Sequence, residues 1–300
     1  MFLKKVFIFL AAAFLAVDIF LLTMYIHANY NLKILSDKMI DNTVRYYDSI
    51  GIDMDREMIV RKVPDNKIYT FYSDNSAVAM KSAENIAQKM FSGNPSVSAV
   101  ETPEGPSYVI SDKGVTVASL RVYTDTFAIR YIADGFSAEN SGLSEEPFYN
   151  PNTDIASDTK KTVNAFIQAI SNSEKTAYRI NGSYTTSGRC SISVTMLIDD
   201  ECPVDGMFLN LVVEKGWVLY AKGNIIMPEI SKSYSEELFD GVNALSRVDA
   251  DTVSEFVSEN LMYTYKYAGN GVYYLIPVWK IEYVDVDGTP ITQYIDAIKG

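Results

Sequence analysis

The sequence predicts an α+β fold: one N-terminal transmembrane helix followed by two lobes of antiparallel sheet with helices packed on one face. Three observations carry this. An apolar run opens the chain from Val6 to Ile26. After it, stretches with helical periodicity alternate with runs of short strands. That order, helix then antiparallel meander, occurs twice. No sequence repeat is strong enough to prove a duplication.

The apolar run is about 21 residues long and reaches roughly 30 Å as a helix, the thickness of a hydrocarbon core. Its one charge is Asp18, and Lys4 and Lys5 precede it. The positive-inside rule then keeps residues 1–5 cytoplasmic and places the bulk outside. A cleaved signal peptide fits less well. The run exceeds a signal h-region, and Ile26 is a poor partner for Ala28 at a cleavage site. The expected localisation is the cell membrane, single-pass, with an extracytoplasmic bulk.

The expected domains are an anchor at 6–26, a first lobe at 32–133, a linker at 134–157 and a second lobe at 158–300. In the first lobe a helix is expected from Leu32 to Ser49, with Leu35, Met39, Ile40, Val44 and Tyr47 at helical spacing. Strands follow at Met58–Val63 and Lys67–Tyr72, a helix at Asn75–Phe91, and strands at Ser107–Ser111, Val115–Val122 and Thr126–Ile132. The linker is rich in Gly, Ser, Glu, Asn and Pro and shows no periodicity.

The second lobe opens with a helix from Asp158 to Ser171, capped by Asp158. Strands are expected at Thr176–Thr186, Arg189–Ile198, Met207–Val213 and Trp217–Met227. Helices follow at Ser235–Ser246 and Asp249–Glu259. The chain closes with strands at Met262–Tyr267, Val272–Val286 and Ile291–Ile298. Glu214-Lys215-Gly216 and Asp287-Gly288 are hairpin connections.

Composition narrows the function. Net charge is −12, and such an acidic surface argues against nucleic acid and against anionic lipid. The 21 tyrosines and 14 phenylalanines suit a β-rich protein. The single histidine, His27, lies at the end of the apolar run, so none is available in the lobes to activate a serine or cysteine nucleophile. No metal site, cofactor or catalytic residue is assigned: there are two cysteines, and no P-loop, G-x-S-x-G or G-x-G-x-x-G occurs. Cys190 and Cys202 fall roughly 25 Å apart along a strand and turn, which disfavours a disulfide, whose Cα atoms lie within about 7 Å, and leaves their pairing open. A carboxylate enzyme would need two acidic residues facing each other across a cleft. Nothing in the sequence marks such a pair, so the chain is expected not to be an enzyme.

Asp18 stands out. A carboxylate at mid-membrane costs about 2.5–3.5 kcal/mol, so it takes a partner, or else a proton or water. Ala11, Leu15, Asp18, Leu22 and Tyr25 share a stripe, and Ala12 and Ala16 form a small-xxx-small pair beside it. These residues are the expected contact for a partner helix.

The stretch Tyr273-Tyr274-Leu275-Ile276-Pro277-Val278-Trp279-Lys280-Ile281, with the ending Tyr294-Ile295-Asp296-Ala297-Ile298-Lys299-Gly300, resembles the end of the YycI/YycH regulatory proteins. Val17-Asp18-Ile19-Phe20-Leu21 is similar to that family's anchor, which tends to carry asparagine at the Asp18 position. The resemblance is strong at both ends and weak between them. It implies a non-catalytic, membrane-anchored regulator of a two-component sensor histidine kinase in cell-wall homeostasis. Its implied partners are the kinase and a second anchored regulator of the same family. Tyr274, Pro277, Val278, Trp279, Ala297 and Gly300 are its motif residues, with mainly structural roles. The alternative is an extracytoplasmic PepSY-like module that binds a peptide or cell-wall fragment, which a tyrosine-lined pocket would mark.

Overall fold

The computed structural model describes residues 14, 17–22, 34–63, 67–72, 75–103, 105–123, 128–137, 139, 142–143, 146–150, 155–171, 177–198, 202–225, 229–269 and 272–299. Sheet outweighs helix, and the expected membrane-spanning element is not supported. Among the described residues no helix is long and apolar enough to cross a membrane. Residues 17–22 are helical, with Asp18 and Leu22 exposed. Ala11, Ala12, Leu15, Ala16 and Tyr25 lie outside the described residues. Hydropathy measures composition alone, whereas a span also requires about 20 consecutive helical residues. The expected transmembrane helix and signal anchor are thus without support among the described residues.

The chain divides into two compact units that interleave in sequence. One takes Met1–Asn66, Glu236–Leu261 and Val278–Gly300; the other takes Lys67–Ser235 and Met262–Pro277.

The first unit gathers both ends of the chain. Helix α1 (Asp37–Ser49) starts at Ser36, whose Oγ accepts from Met39 N at 3.3 Å. It buries Ile40 and Tyr47, and Arg56 ties its outer face down through Asp41 (2.7 Å) and Asp37 (2.6 Å). These ion pairs are partly exposed and contribute little. Strand β1 (Asp53–Met54) lies parallel to β12 (Val253–Gly269). Strand β13 (Val272–Asp285) pairs antiparallel with β14 (Pro290–Asp296) from Val278 onward. The core contains Ile40, Tyr47, Phe256, Trp279, Ile281 and Ala297, together with Leu245 from the short helix α4 (Gly241–Leu245). The C-terminal residues are pinned by Phe239 N donating to Ala297 O (3.1 Å) and Lys299 N to Glu237 O (2.9 Å).

The helix expected at Asp249–Glu259 is a 3-10 turn, Ala250–Thr252, leading into β12. The cause is visible in the burial. Val253, Phe256 and Glu259 are buried at intervals of three, a spacing that mimics a helix face. Beyond them Glu259, Leu261 and Tyr263 are buried at the strand interval of two. Similarly, Ser235 ends a strand, and the helix expected over 235–246 reduces to α4.

The second unit is a broad sheet covered by two helices. Its strands are β2 (Lys67–Tyr72), β3 (Pro95–Thr102), β4 (Gly105–Asp112), β5 (Val115–Tyr123), β6 (Ala128–Ala133), β7 (Ala177–Thr186), β8 (Arg189–Ile198), β9 (Cys202–Glu214), β10 (Trp217–Asn224) and β11 (Glu229–Ser235). The order is β11-β2-β13-β12-β9-β10-β6-β5-β4-β3, and β7–β8 join through β9. Three tight hairpins form it: Lys113-Gly114, Ser187-Gly188 and Lys215-Gly216 each hold positive φ at both residues, the primed turn that matches strand twist.

Helices α2 (Asn75–Met90) and α3 (Ser157–Ile170) pack on this sheet. Ile86, Phe166, Ile167 and Ile170 meet Ile110, Leu120, Tyr131, Val194 and Leu211 in one core. Ser82 Oγ donates to Ile170 O at 2.7 Å and fastens the helices together. Cys190 and Cys202 are not bonded to each other.

Within the sheet, Gly223 of β10 lies so close to β9 that a Cβ there would stand 2.1 Å from Phe208 O. Because the obstacle is backbone, Gly223→Ala is expected to destabilise the protein by about 2 kcal/mol or more. Urea denaturation would measure this, and a loss below about 0.5 kcal/mol would refute the clash.

Residues 146–150, expected to be part of a linker, form a strap on β7, β8 and β9. Phe148 N donates to Ser193 Oγ (3.3 Å), Asn150 N to Asn181 O (3.1 Å), and Asn210 Nδ2 to Glu146 O (2.9 Å). Buried Ser193 and Asn210 are thus partners for an irregular segment whose backbone lacks a ladder of its own.

Candidate functional site

Exposed aromatic side chains gather at the end of β12 and the start of β13. Tyr263, Tyr265 and Tyr267 occupy alternate positions of β12 and therefore share one sheet face. Tyr263 is fully buried and meets Tyr69 of β2 edge-on at 5.8 Å. Two residues on, Tyr265 is 38% exposed, and Tyr267 is 59% exposed. Tyr273 of β13 stands against both, with ring centroids 6.5 Å from Tyr265 and 5.0 Å from Tyr267. It also packs on the core. The register places Tyr273 opposite Phe71, and Leu275 opposite Tyr69.

The result is a line of tyrosine rings that begins in the core and emerges at the surface. Rings held this way lose little side-chain entropy on contact, and each offers an apolar body with a polar tip. The arrangement is a face rather than an enclosed pocket. The alternation Tyr-x-Tyr-x-Tyr is visible in sequence as a strand, whereas the role of Tyr273 depends on a strand pairing that sequence does not show.

The expected site residues fall elsewhere. Asp18 and Leu22 are exposed on the short helical stretch and meet no partner helix among the described residues. Of the motif residues, Val278, Trp279 and Ala297 are buried in the first unit. Trp279 Nε1 donates to Phe239 O at 3.1 Å. Tyr274 is 39% exposed, and Gly300 lies outside the described residues. Pro277 sits where β13 changes neighbours, between the pairing of Val272–Leu275 with β2 and that of Val278–Val284 with β14. A residue without an N–H disturbs a ladder least at such a position.

One acidic pair comes together in the first unit. Glu259 is 3% exposed. Its Oε2 accepts from Val60 N at 2.9 Å, and its Oε1 has no hydrogen-bond partner among the described residues. Burial pushes the carboxyl up to about 7, the Val60 bond opposes this, and the nearby Asp240 charge adds to it. Asp240, however, caps α4, accepting from Asn243 N and Nδ2 at 2.9 Å each. Glu259 is enclosed by protein, and Gly241 is so close that a Cβ there would lie 2.4 Å from Oε1. Glycoside hydrolysis needs two carboxyl groups that reach a bound sugar, and Glu259, at 3% exposure, is closed off from solvent. Among the described residues no group of three or more His, Cys, Asp or Glu could hold a metal ion.

No family model and no curated protein matches the chain, so no comparison ties it to the YycI/YycH regulators. Solved structures give distant similarities. An uncharacterized protein from Eubacterium rectale aligns with a TM-score of 0.49 and 13% identity over 83% of this chain and 88% of its own. The Bacillus megaterium YpeB C-terminal domain aligns with a TM-score of 0.30 and 8% identity, over 89% and 95% of the two chains. The chain is thus a weak structural neighbour of the YpeB domain.

Proposed function

We propose that this protein is a non-catalytic binding module for a peptide or a cell-wall fragment, with Tyr265, Tyr267 and Tyr273 as its contact surface. The observation that carries the reading is the emergence of these mutually contacting rings from the core onto an exposed sheet face. Aromatic side chains anchored by packing are the groups that dominate contact energy in binding sites. A net charge of −12 further favours ligands that are neutral or basic.

The test is titration of purified protein with muropeptides and, separately, with unstructured peptides, read by calorimetry. Tyr265→Ala and Tyr267→Ala are each expected to weaken binding about tenfold, near 1.4 kcal/mol. Tyr267 is 59% exposed, so its variant should move thermal stability little, and Tyr265, at 38%, should move it somewhat more. Failure of both ligand classes to bind, or unchanged affinity in the double variant, would overturn the reading.

A further inference from the structure

A second site lies in the same unit, built from separate residues. A cavity of about 170 Å³ is lined by Asn150, Ile155, Lys160, Ile180, Asn181 and Ser183, with Gly182 between the last two. Three elements form it: the strap, the edge strand β7, and the first turns of α3. Their closeness is built in. Gly182 bridges Asn150 in parallel register, and a Cβ at Gly182 would strike Asn150 N at 2.4 Å.

Two independent features point to an anion. The first is Ser183. It is fully buried, it lines the cavity, and its Oγ has no hydrogen-bond partner among the described residues. A buried hydroxyl without a partner is costly, which is the usual mark of a missing ligand or water. The second is the start of α3. This helix has 14 residues, and Ala156 at its N-cap makes no side-chain cap. Its leading N–H groups carry the positive end of the helix dipole beside the cavity, to whose lining this part of the chain contributes Ile155 and Lys160. Lys160 adds a cation to the lining. Asp158, in the same turn, is directed to solvent and to Lys161 at 3.4 Å.

The walls narrow the class of anion. Ile155 and Ile180 make part of the lining apolar, which suits a carboxylate carried on a short carbon chain better than inorganic phosphate. We infer that this cavity binds a small aliphatic carboxylate of about amino-acid size, held by the Ser183 hydroxyl and Lys160, while the Asn150 and Asn181 side-chain amides, which donate to Ser183 O (3.3 Å) and Thr195 Oγ1 (2.8 Å), fix the walls. This inference does not rest on the tyrosine face.

The experiment is an NMR titration of the full chain with N-acetylalanine, its methyl ester and inorganic phosphate. Amide shifts are expected at Asn181–Ser183 and in the first turn of α3 with the acid, and not with the ester. Lys160→Gln and Ser183→Ala should each weaken binding about tenfold. Lys160 is exposed, so its variant remains informative if the buried Ser183 substitution disturbs folding. Equal binding of the ester, tighter binding of phosphate, no binding of the acid, or an unchanged Lys160→Gln would each overturn the inference.

Discussion

Trp279→Ala is expected to cost about 3–5 kcal/mol of folding free energy. Trp279 is fully buried in the first unit's core, and its removal leaves a large cavity. It also leaves Phe239 O without its donor at 3.1 Å, and an orphaned buried carbonyl adds to the penalty. Phe239 itself supports the Arg247 guanidinium, 3.9 Å from its ring centre, so the disturbance reaches the turn that follows α4. The loss is a large share of a typical domain's 5–15 kcal/mol. Urea denaturation followed by circular dichroism measures it. Trp279→Phe should lose less, since it keeps most of the volume and forfeits only the hydrogen bond. A cost below about 1 kcal/mol for the alanine variant would show that the core collapses around the gap.

The second large effect concerns Glu259 and pH. Its carboxyl rises from 4.5 to about 7 on folding, chiefly through burial. The folded state therefore binds the proton more tightly than the unfolded state. Between these values folded molecules carry more protons, so stability falls as pH rises through the window. Glu259 costs nothing extra below pH 4.5, and its full penalty is present above pH 7. At 1.36 kcal/mol per unit the span is about 3 kcal/mol. Glu259→Gln keeps an acceptor for Val60 N and cannot ionise. It should match the parent near pH 4 and exceed it by about 3 kcal/mol at pH 8. Equal stability differences at both pH values would sink the argument.

Much of the fold was legible where periodicity is long and unambiguous. Helix α2 was expected at 75–91 and runs Asn75–Met90; α3 was expected at 158–171 and runs Ser157–Ile170. Both carry apolar residues on one face that meets a core, the condition under which sequence patterns inform best. Strand β3 was missed because its residues, Ser96-Val97-Ser98-Ala99-Val100, are small and largely exposed, so alternation is faint. The start of β12 was misread because three-residue burial spacing imitates a helix. The candidate sites were less legible for a different reason. Tyr265 meets Tyr273, and Lys160 comes to line one cavity with Ser183, only through the packing of distant stretches, and no local pattern encodes that.

The interleaving of the units also has a temporal side. The first unit draws on Met1–Asn66 and on Val278–Gly300, so Ile40 and Tyr47 are synthesised long before Trp279 and Ala297, the residues that complete their core. During translation the second unit can gather most of its sheet first, while α1 waits with its apolar face uncovered. Contacts of such large sequence separation are slow to form, and unfinished surfaces of this kind associate with other chains. A ribosome that stops before Val278 therefore releases a chain that lacks Trp279, Ile281, Tyr283, Ile295 and Ala297 from this core, with its earliest residues still awaiting partners.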